Sequence, residues 1–324
     1  MRILFLTMDK RCAVSFYRAA GIARDLEKKL DCTIDTFSWS DFVIDWANLV
    51  RYDIVMVQRG YQGTQVLLCK YVKKLGIPLW LDYDDDLFSV PPENKAWPTY
   101  NDPEVKRDII SILSMADVIS VTTEELKKSF SEYNDNIVVI PNGFNDFSLN
   151  INRILQPRSK TVVWRGSDTH VFDIMVYNDV IDKCIKEHPE YSFVFMGFNP
   201  WILGDAPNLK FIKLLETIEY FETGMTITPA VVHVPLHEST FNRCKSNIAF
   251  IEGTYWGATC VVPEFWGKLP GTLSYKDSDS YYDALTQALE DKPERNKEAW
   301  DYIKKNLLSS EINKLRVKLI EDLI

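Results

Sequence analysis

The chain of 324 residues is 46% apolar and 26% charged, an ordinary globular composition with room for two domains, each with its own core. No run approaches the roughly 20 consecutive apolar residues of a membrane helix, and the first strand-like run begins at Ile3, so neither membrane insertion nor a signal peptide is expected and the expected location is cytoplasmic. A net charge of -9 gives no general attraction to nucleic acid or anionic lipid, and six cysteines without a CxxC pair or a His/Cys cluster predict free thiols rather than disulfides or structural zinc.

In chain order, Arg2 to Thr7 predicts a buried strand, and Ser15 then stands as the cap of a helix carrying Ala19, Ile22, Ala23, Leu26 and Leu30 at the 3.6 period. Asp53 to Gln58 predicts a second strand. Leu67, Leu68, Tyr71, Val72 and Leu75 mark a helix stopped by Gly76 and Pro78, and Pro78 to Asp82 reads as the next strand. Asp102 and Pro103 have the form of an N-cap and first helical position for a helix through Met115. Val118 to Thr122 predicts a strand, Thr122 with Glu125 a capping box, and Ile137 to Ile140 the last strand of this half. Asn145 to Ser159 lacks a sustained period and reads as a linker.

The pattern then restarts, with strands predicted at Thr161 to Arg165, Ser192 to Met196, Leu209 to Ile212, Ala230 to Pro235 and Thr259 to Val262, and helices at about 172 to 187 and 243 to 256. From about Ser278 onward three amphipathic stripes predict three helices. Alternating apolar strands and helices imply parallel sheets covered on both faces, hence an α/β chain of two tandem Rossmann-like domains, 1–150 and 151–324. The function is expected in the cleft between the carboxyl ends of the two sheets.

Several segments together resemble the nucleotide-sugar glycosyltransferases of the glycosyltransferase B fold, group 1 type, in a short phage-type variant. They are VSFYRAAGIARDL (Val14 to Leu26), YDIVMVQR (Tyr52 to Arg59), LWLDYDDDLF (Leu79 to Phe88), ADVISVTTEEL (Ala116 to Leu126), IVVIPNGFN (Ile137 to Asn145), VVWRGSDTHVFD (Val162 to Asp173), FVFMGF (Phe193 to Phe198) and FNRCKSNIAFIEGTYWGATCVVP (Phe241 to Pro263). The resemblance implies a last helix that crosses back onto the first domain, an acceptor on the N-terminal domain and a donor on the C-terminal one. It implies transfer of a sugar from a nucleotide-diphosphate sugar, UDP favoured, to a hydroxyl, with no cofactor and no metal.

FNRCKSNIAFIEG places Lys245, Ser246 and Asn247 at a helix start, where free N–H groups and a lysine charge suit a diphosphate. In the resembled family the glutamate at the position of Glu252 bonds the ribose. The family's earlier glutamate falls on Cys244, so its sugar contact is lost or passes to Asn242, Arg243 or Lys245. Arg165 and Gly166 are expected against the diphosphate, where charge grows as the sugar leaves. His170 and Asp173 are expected to form a cap and a local hydrogen bond.

Asp82, Asp84, Asp85 and Asp86 look like a metal-binding DxD, but with Lys245 and Arg165 available they are read as acceptor-side groups, Asp84, Asp85 and Asp86 being the candidates for catalysis. Ser15, Tyr17 and Arg18, with Gln58 and Arg59, are candidates for the acceptor and diphosphate side. Phe198 and Trp201 are candidate flanks for the base. The acceptor stays open among a glycan, a small molecule, a protein and hydroxymethylated pyrimidine in DNA, the last predicting a basic cluster near the cleft from Lys70, Lys73, Lys74, Lys106 and Arg107. A sugar-nucleotide epimerase, an inactive homologue and a binding-only protein are the alternatives.

Overall fold

A computed structural model of the protein describes residues 1–42 and 46–324. Two six-stranded, wholly parallel sheets make up the framework. The first contains β1 (Arg2–Thr7), β2 (Thr33–Ser38), β3 (Ile54–Gln58), β4 (Leu79–Tyr83), β5 (Val118–Val121) and β6 (Ile137–Val139), in spatial order β2-β1-β3-β4-β5-β6. The second contains β7 (Ser159–Arg165), β8 (Ser192–Met196), β9 (Leu209–Ile212), β10 (Pro229–His233), β11 (Thr259–Pro263) and β12 (Thr272–Tyr275), in order β12-β11-β10-β7-β8-β9. This is the predicted pair of Rossmann-like sheets.

The cause lies in the strand sequences. IVMVQ, LWLDY and VISV are buried at every position, as strands covered on both faces must be. Edge strands have fewer neighbours and tolerate polar residues: TIDTFS and TLSY are only partly buried. Those two were not expected, because their polar letters interrupt any apolar run, whereas the edge strands Ile137–Val139 and Leu209–Ile212 were expected. The helix Thr217–Ile227 was likewise missed.

Four helix predictions need correction, one of them the helix expected at about 172 to 187, which is two pieces, Val171–Val176 and Asn178–Glu187. The first helix is broken at Ala19, whose φ of -136° and ψ of -94° separate Ala13–Arg18 from Ala20–Leu30, and Cys12 rather than Ser15 occupies its cap. Thr123, not Thr122, caps Glu124–Phe130, accepting from the Leu126 N–H at 3.2 Å. The helix expected at 243 to 256 is two pieces, Thr240–Arg243 and Ile248–Tyr255, so that Lys245 and Ser246 lie on the bend between them. Asp102 caps Pro103–Met115 as expected.

Three helices close the chain: Ser278–Leu289, Glu294–Asn306 and Ser309–Asp322. The last crosses back: Ile312, Leu319 and Ile320 join Ile3, Phe5, Ile22, Met56 and Trp80 in one buried cluster of the first sheet. Each such side chain contributes roughly 1.5–3 kcal/mol by burial. Asn313 also donates to Asp25 at 2.8 Å. The chain therefore passes between the sheets twice, and the two passages are bonded together at Phe144 and Leu308. There the Phe144 N–H reaches the Leu307 carbonyl at 2.7 Å and the Ser309 N–H reaches the Phe144 carbonyl at 2.8 Å.

Candidate functional site

In each sheet the connections leave in opposite directions at one place, between β1 and β3 in the first and between β7 and β10 in the second, and ligands of such sheets bind at the carboxyl ends there. Both places open onto one cavity of about 400 Å³, lined by Ala13, Val14 and Arg59 from one side and by Arg165, His233 and Pro235 from the other. A second cavity of about 540 Å³ lies between Arg11 to Val14, Gly197, Leu214 to Thr217, Tyr220 and Glu252. The two share Ala13, Val14, Arg165, Ser167 and His170.

The aspartates after β4 divide by position. Asp82 is fully buried and clasps Arg18, also fully buried, through Nε at 3.0 Å and a terminal nitrogen at 2.6 Å; Arg18 also donates to the Ile140 carbonyl. Arg18 is thus a tie between the first helix, β4 and the Ile140 carbonyl beyond β6, and it lines the first cavity with its charge already paired to Asp82. Asp84 and Asp85 face the first cavity. Arg59 bridges them, forked on Asp84 and 2.5 Å from Asp85, and Lys245 reaches Asp85 from the other domain at 3.2 Å while lying over the Phe241 ring at 4.3 Å. Burial raises the Asp84 carboxyl despite Arg59. Burial would raise Asp85 too, but Lys245 and then Arg59 outweigh it and hold it below the usual carboxylate range. Two adjacent acids pushed apart in this way are suited to different tasks. Arg59 takes the left-handed conformation, φ 50°, which is unusual for a residue with a side chain.

Asp86 turns away from the cleft. Its carboxylate accepts from the Phe88 N–H at 3.0 Å, Ser89 at 2.6 Å and Ser129 at 2.8 Å and is buried, so its expected catalytic role is replaced by a structural one. Ser15 is also buried, accepting from the Ala20 N–H at the helix break, and is absent from both cavity walls; its expected ligand role is corrected likewise. Gln58 is held by Thr7 and Val14. Neither Phe198 nor Trp201 lines either cavity, and Trp201 is 68% exposed. The same holds of Lys70, Lys73, Lys74, Lys106 and Arg107, of which Lys73 is paired with Asp117.

On the other wall, Lys245, Ser246, Ile248 and Ala249 put the start of the helix Ile248–Tyr255 into the first cavity. Ser246 accepts from Asn142 of the first domain at 2.9 Å. Cys244 is buried in the core of the first domain's sheet, its thiol pushed up to about 12 by burial and then by Asp86, so it cannot stand where a carboxylate would meet a sugar. Asn242 is also buried, donating to Asp173 at 2.8 Å and to the His237 carbonyl at 2.9 Å, which makes it a support for Asp173 instead of the expected donor ligand.

Glu252 is the hub of the second cavity. It accepts from Tyr17 of the first domain at 2.8 Å, from Tyr220 at 2.6 Å and from Arg165 Nε at 2.5 Å. Burial works against the Arg165 charge, but Glu252 outweighs it and raises that guanidinium; burial and then Glu252 drive both tyrosines well up. Gly166 is needed for close approach, since a Cβ there would come within 2.8 Å of the Trp164 ring, and at Gly197, φ 102°, one would meet the Gly166 carbonyl at 2.3 Å. Tyr17 and Tyr220 were not singled out with Glu252, because partners 235 and 32 residues away leave no local pattern. His233 was missed too: its Nδ1 meets Tyr281 at 2.6 Å and its buried Nε2 has no partner. Burial lowers that imidazole to about 3.

His170 and Asp173 form the expected local hydrogen bond, at 3.0 Å, and His170 stands at the N-cap position of the helix Val171–Val176 without a side-chain capping bond, while Ser167 caps the preceding turn. Among the described residues no group of three or more His, Cys, Asp and Glu is arranged to hold a metal ion, and no helix is long and apolar enough to cross a membrane.

No family model matches the chain, and no curated protein matches it. Solved structures share its fold at low identity. The lipopolysaccharide outer core galactosyltransferase WaaB, apo form, matches with a TM-score of 0.59 at 12% identity over 98% of this chain and 100% of that one. The UDP-GlcNAc 2-epimerase from Neisseria meningitidis, bound to UDP-GlcNAc, matches with a TM-score of 0.56 at 14% identity over 99% and 100%. The S. aureus MnaA–UDP structure matches with a TM-score of 0.57 at 12% identity over 100% and 97%. The chain thus has the glycosyltransferase B fold: two tandem Rossmann-like sheets with C-terminal helices.

Proposed function

We propose that the protein is a glycosyltransferase that moves a sugar from a nucleotide-diphosphate sugar, UDP-linked by preference, to a hydroxyl acceptor. The observation that carries this reading is the pair of joined cavities at the two sheet switch points, with a lysine and a helix start in one and a glutamate–arginine hub in the other. The nucleoside occupies the second cavity, with the ribose on the Glu252 Oε1 that now holds Tyr17. The diphosphate lies at the junction against Gly166, Arg165, Ser246, Lys245 and the first N–H groups of Ile248–Tyr255, where fixed positive charge favours an anion and stabilises the leaving group. Lys245 and Arg165 supply this charge without a metal.

The sugar and acceptor share the first cavity. Its apolar lining, Leu87, Val90, Tyr100 and Trp266, faces Asp84 and Asp85. Asp85 takes the acceptor proton: when Lys245 turns to the diphosphate, the strongest influence holding the carboxyl low is drawn away. Arg59 keeps Asp85 aimed. Closed domains exclude water that would otherwise hydrolyse the donor.

A second reading, a sugar-nucleotide epimerase, is favoured by the near-complete overlap with epimerase structures. Thermal unfolding with UDP, GDP, ADP and dTDP, with and without magnesium, tests the shared premise. At 100 times its dissociation constant a ligand adds about 2.7 kcal/mol. Stabilisation by one nucleotide that Lys245→Ala abolishes is expected; no shift with any of them overturns the reading. Incubating the bound sugar nucleotide without acceptor then separates the two: an epimerised sugar nucleotide identifies the second reading.

A further inference from the structure

The wall between the two cavities contains one imidazole, hydrogen-bonded on one nitrogen only. His170 lines both cavities. Its Nδ1 is 3.0 Å from Asp173 Oδ2, and Asp173 is buried and anchored on its other oxygen by His237 Nδ1 at 2.7 Å and Asn242 Nδ2 at 2.8 Å. A carboxylate so held accepts only, so Nδ1 must carry a hydrogen and Nε2 is left with a lone pair on the cleft side. A neutral imidazole in this tautomer offers an anion nothing to bond.

Resting on the reading that a diphosphate lies at the junction, we propose that His170 binds it only by taking up a proton on Nε2, so that the anion and one proton from solvent bind together. The imidazolium then lies between Asp173 and the diphosphate, donating to both. In the free protein the opposite state holds: burial lowers the His170 pKa below its ordinary value, Lys245 and Arg165 push in the same direction, and Asp173 opposes them. Asp85 on the facing wall senses the ring as well, and His237 reaches it through Asp173. A diphosphate reverses this balance by adding negative charge beside Nε2 and by engaging Lys245. The free ring is neutral near pH 7.5, so binding draws in a proton, and affinity falls as pH rises through the bound-state pKa.

Isothermal titration in buffers of different ionisation enthalpy counts that proton. The probes are UDP-, GDP-, ADP- and dTDP-glucose, whose diphosphates are esterified at both ends and do not titrate near neutrality. At about pH 7.5 the expected uptake for the tightest of them approaches one proton, and affinity falls toward tenfold per pH unit at its steepest. His170→Gln keeps a donor in the cleft and cannot take a proton: it is expected to bind the same probe with no buffer dependence and a flattened pH profile. His237→Gln is expected to retain the uptake. Binding without uptake, or uptake that survives His170→Gln, overturns the inference and leaves the proposed function standing. No heat with any probe overturns both.

Discussion

Two clusters of paired charges draw their aspartates from one short run, Asp82 to Asp85, and have different uses. Arg18 and Asp82 are wholly enclosed, with forked geometry and every accessible partner inside the protein. Arg59, Asp84, Asp85 and Lys245 form a chain across the cleft, partly open to solvent, with its last link between domains. The first is a joint whose charges cannot leave; the second is a set of contacts that a ligand can redistribute. A run of aspartates in a sequence therefore has no single meaning, because the strand ends at Tyr83 and the loop after it gives each aspartate its own surroundings.

Removing one partner of the enclosed pair tests this contrast most severely. Arg18→Met leaves Asp82 buried and unpaired and is expected to cost about 3–5 kcal/mol in denaturant unfolding. Asp85→Asn in the open chain is expected to change stability by less than about 1 kcal/mol, while transfer activity falls at least about a hundredfold. Equal losses of stability in the two variants would erase the distinction. Acid separates the regions in another way. The buried His233 refuses a proton until about pH 3, whereas the unfolded chain takes one below about pH 6.5, so stability falls with pH across that window by up to about 1.4 kcal/mol per unit. His233→Gln is expected to flatten this slope in urea titrations run at successive pH values. The smallest effect is expected from Tyr17→Phe, which deletes one cross-domain hydrogen bond to Glu252 and costs about 1 kcal/mol by thermal unfolding, with nucleotide binding retained.

Much of the framework was legible in the sequence because buried parallel strands write continuous apolar runs, as IVMVQ and SFVFM do. TIDTFS and TLSY were not legible, since an edge position asks less of its residues. At the site, Lys245, Ser246, Arg165, Arg59, Asp84 and Asp85, singled out from helix starts and strand ends, and Glu252, singled out from the family resemblance, line the cavities. Ser15, Asp86 and Asn242 carry the same polar chemistry but serve the interior. Chemistry was visible in the letters, and direction was not: a break at Ala19 turns Ser15 inward, and a bend before Ile248 aims Lys245 at the cleft while sending Cys244 into the core.

The bonded crossing at Phe144 and Leu308 also sets how the molecule can open. Two passages placed far apart would resist any swing, and a single one would allow the halves to tumble. Two passages pinned side by side join the halves at one place. Both chain ends lie on the first half, Arg2 in its sheet and the final helix against it, so tension applied between the termini would load that half and bypass the other. The second half does not hang from that crossing alone: Cys244 is buried in the core of the first sheet, and Phe16 and Tyr17 in that of the second, so the halves also interlock along the cleft.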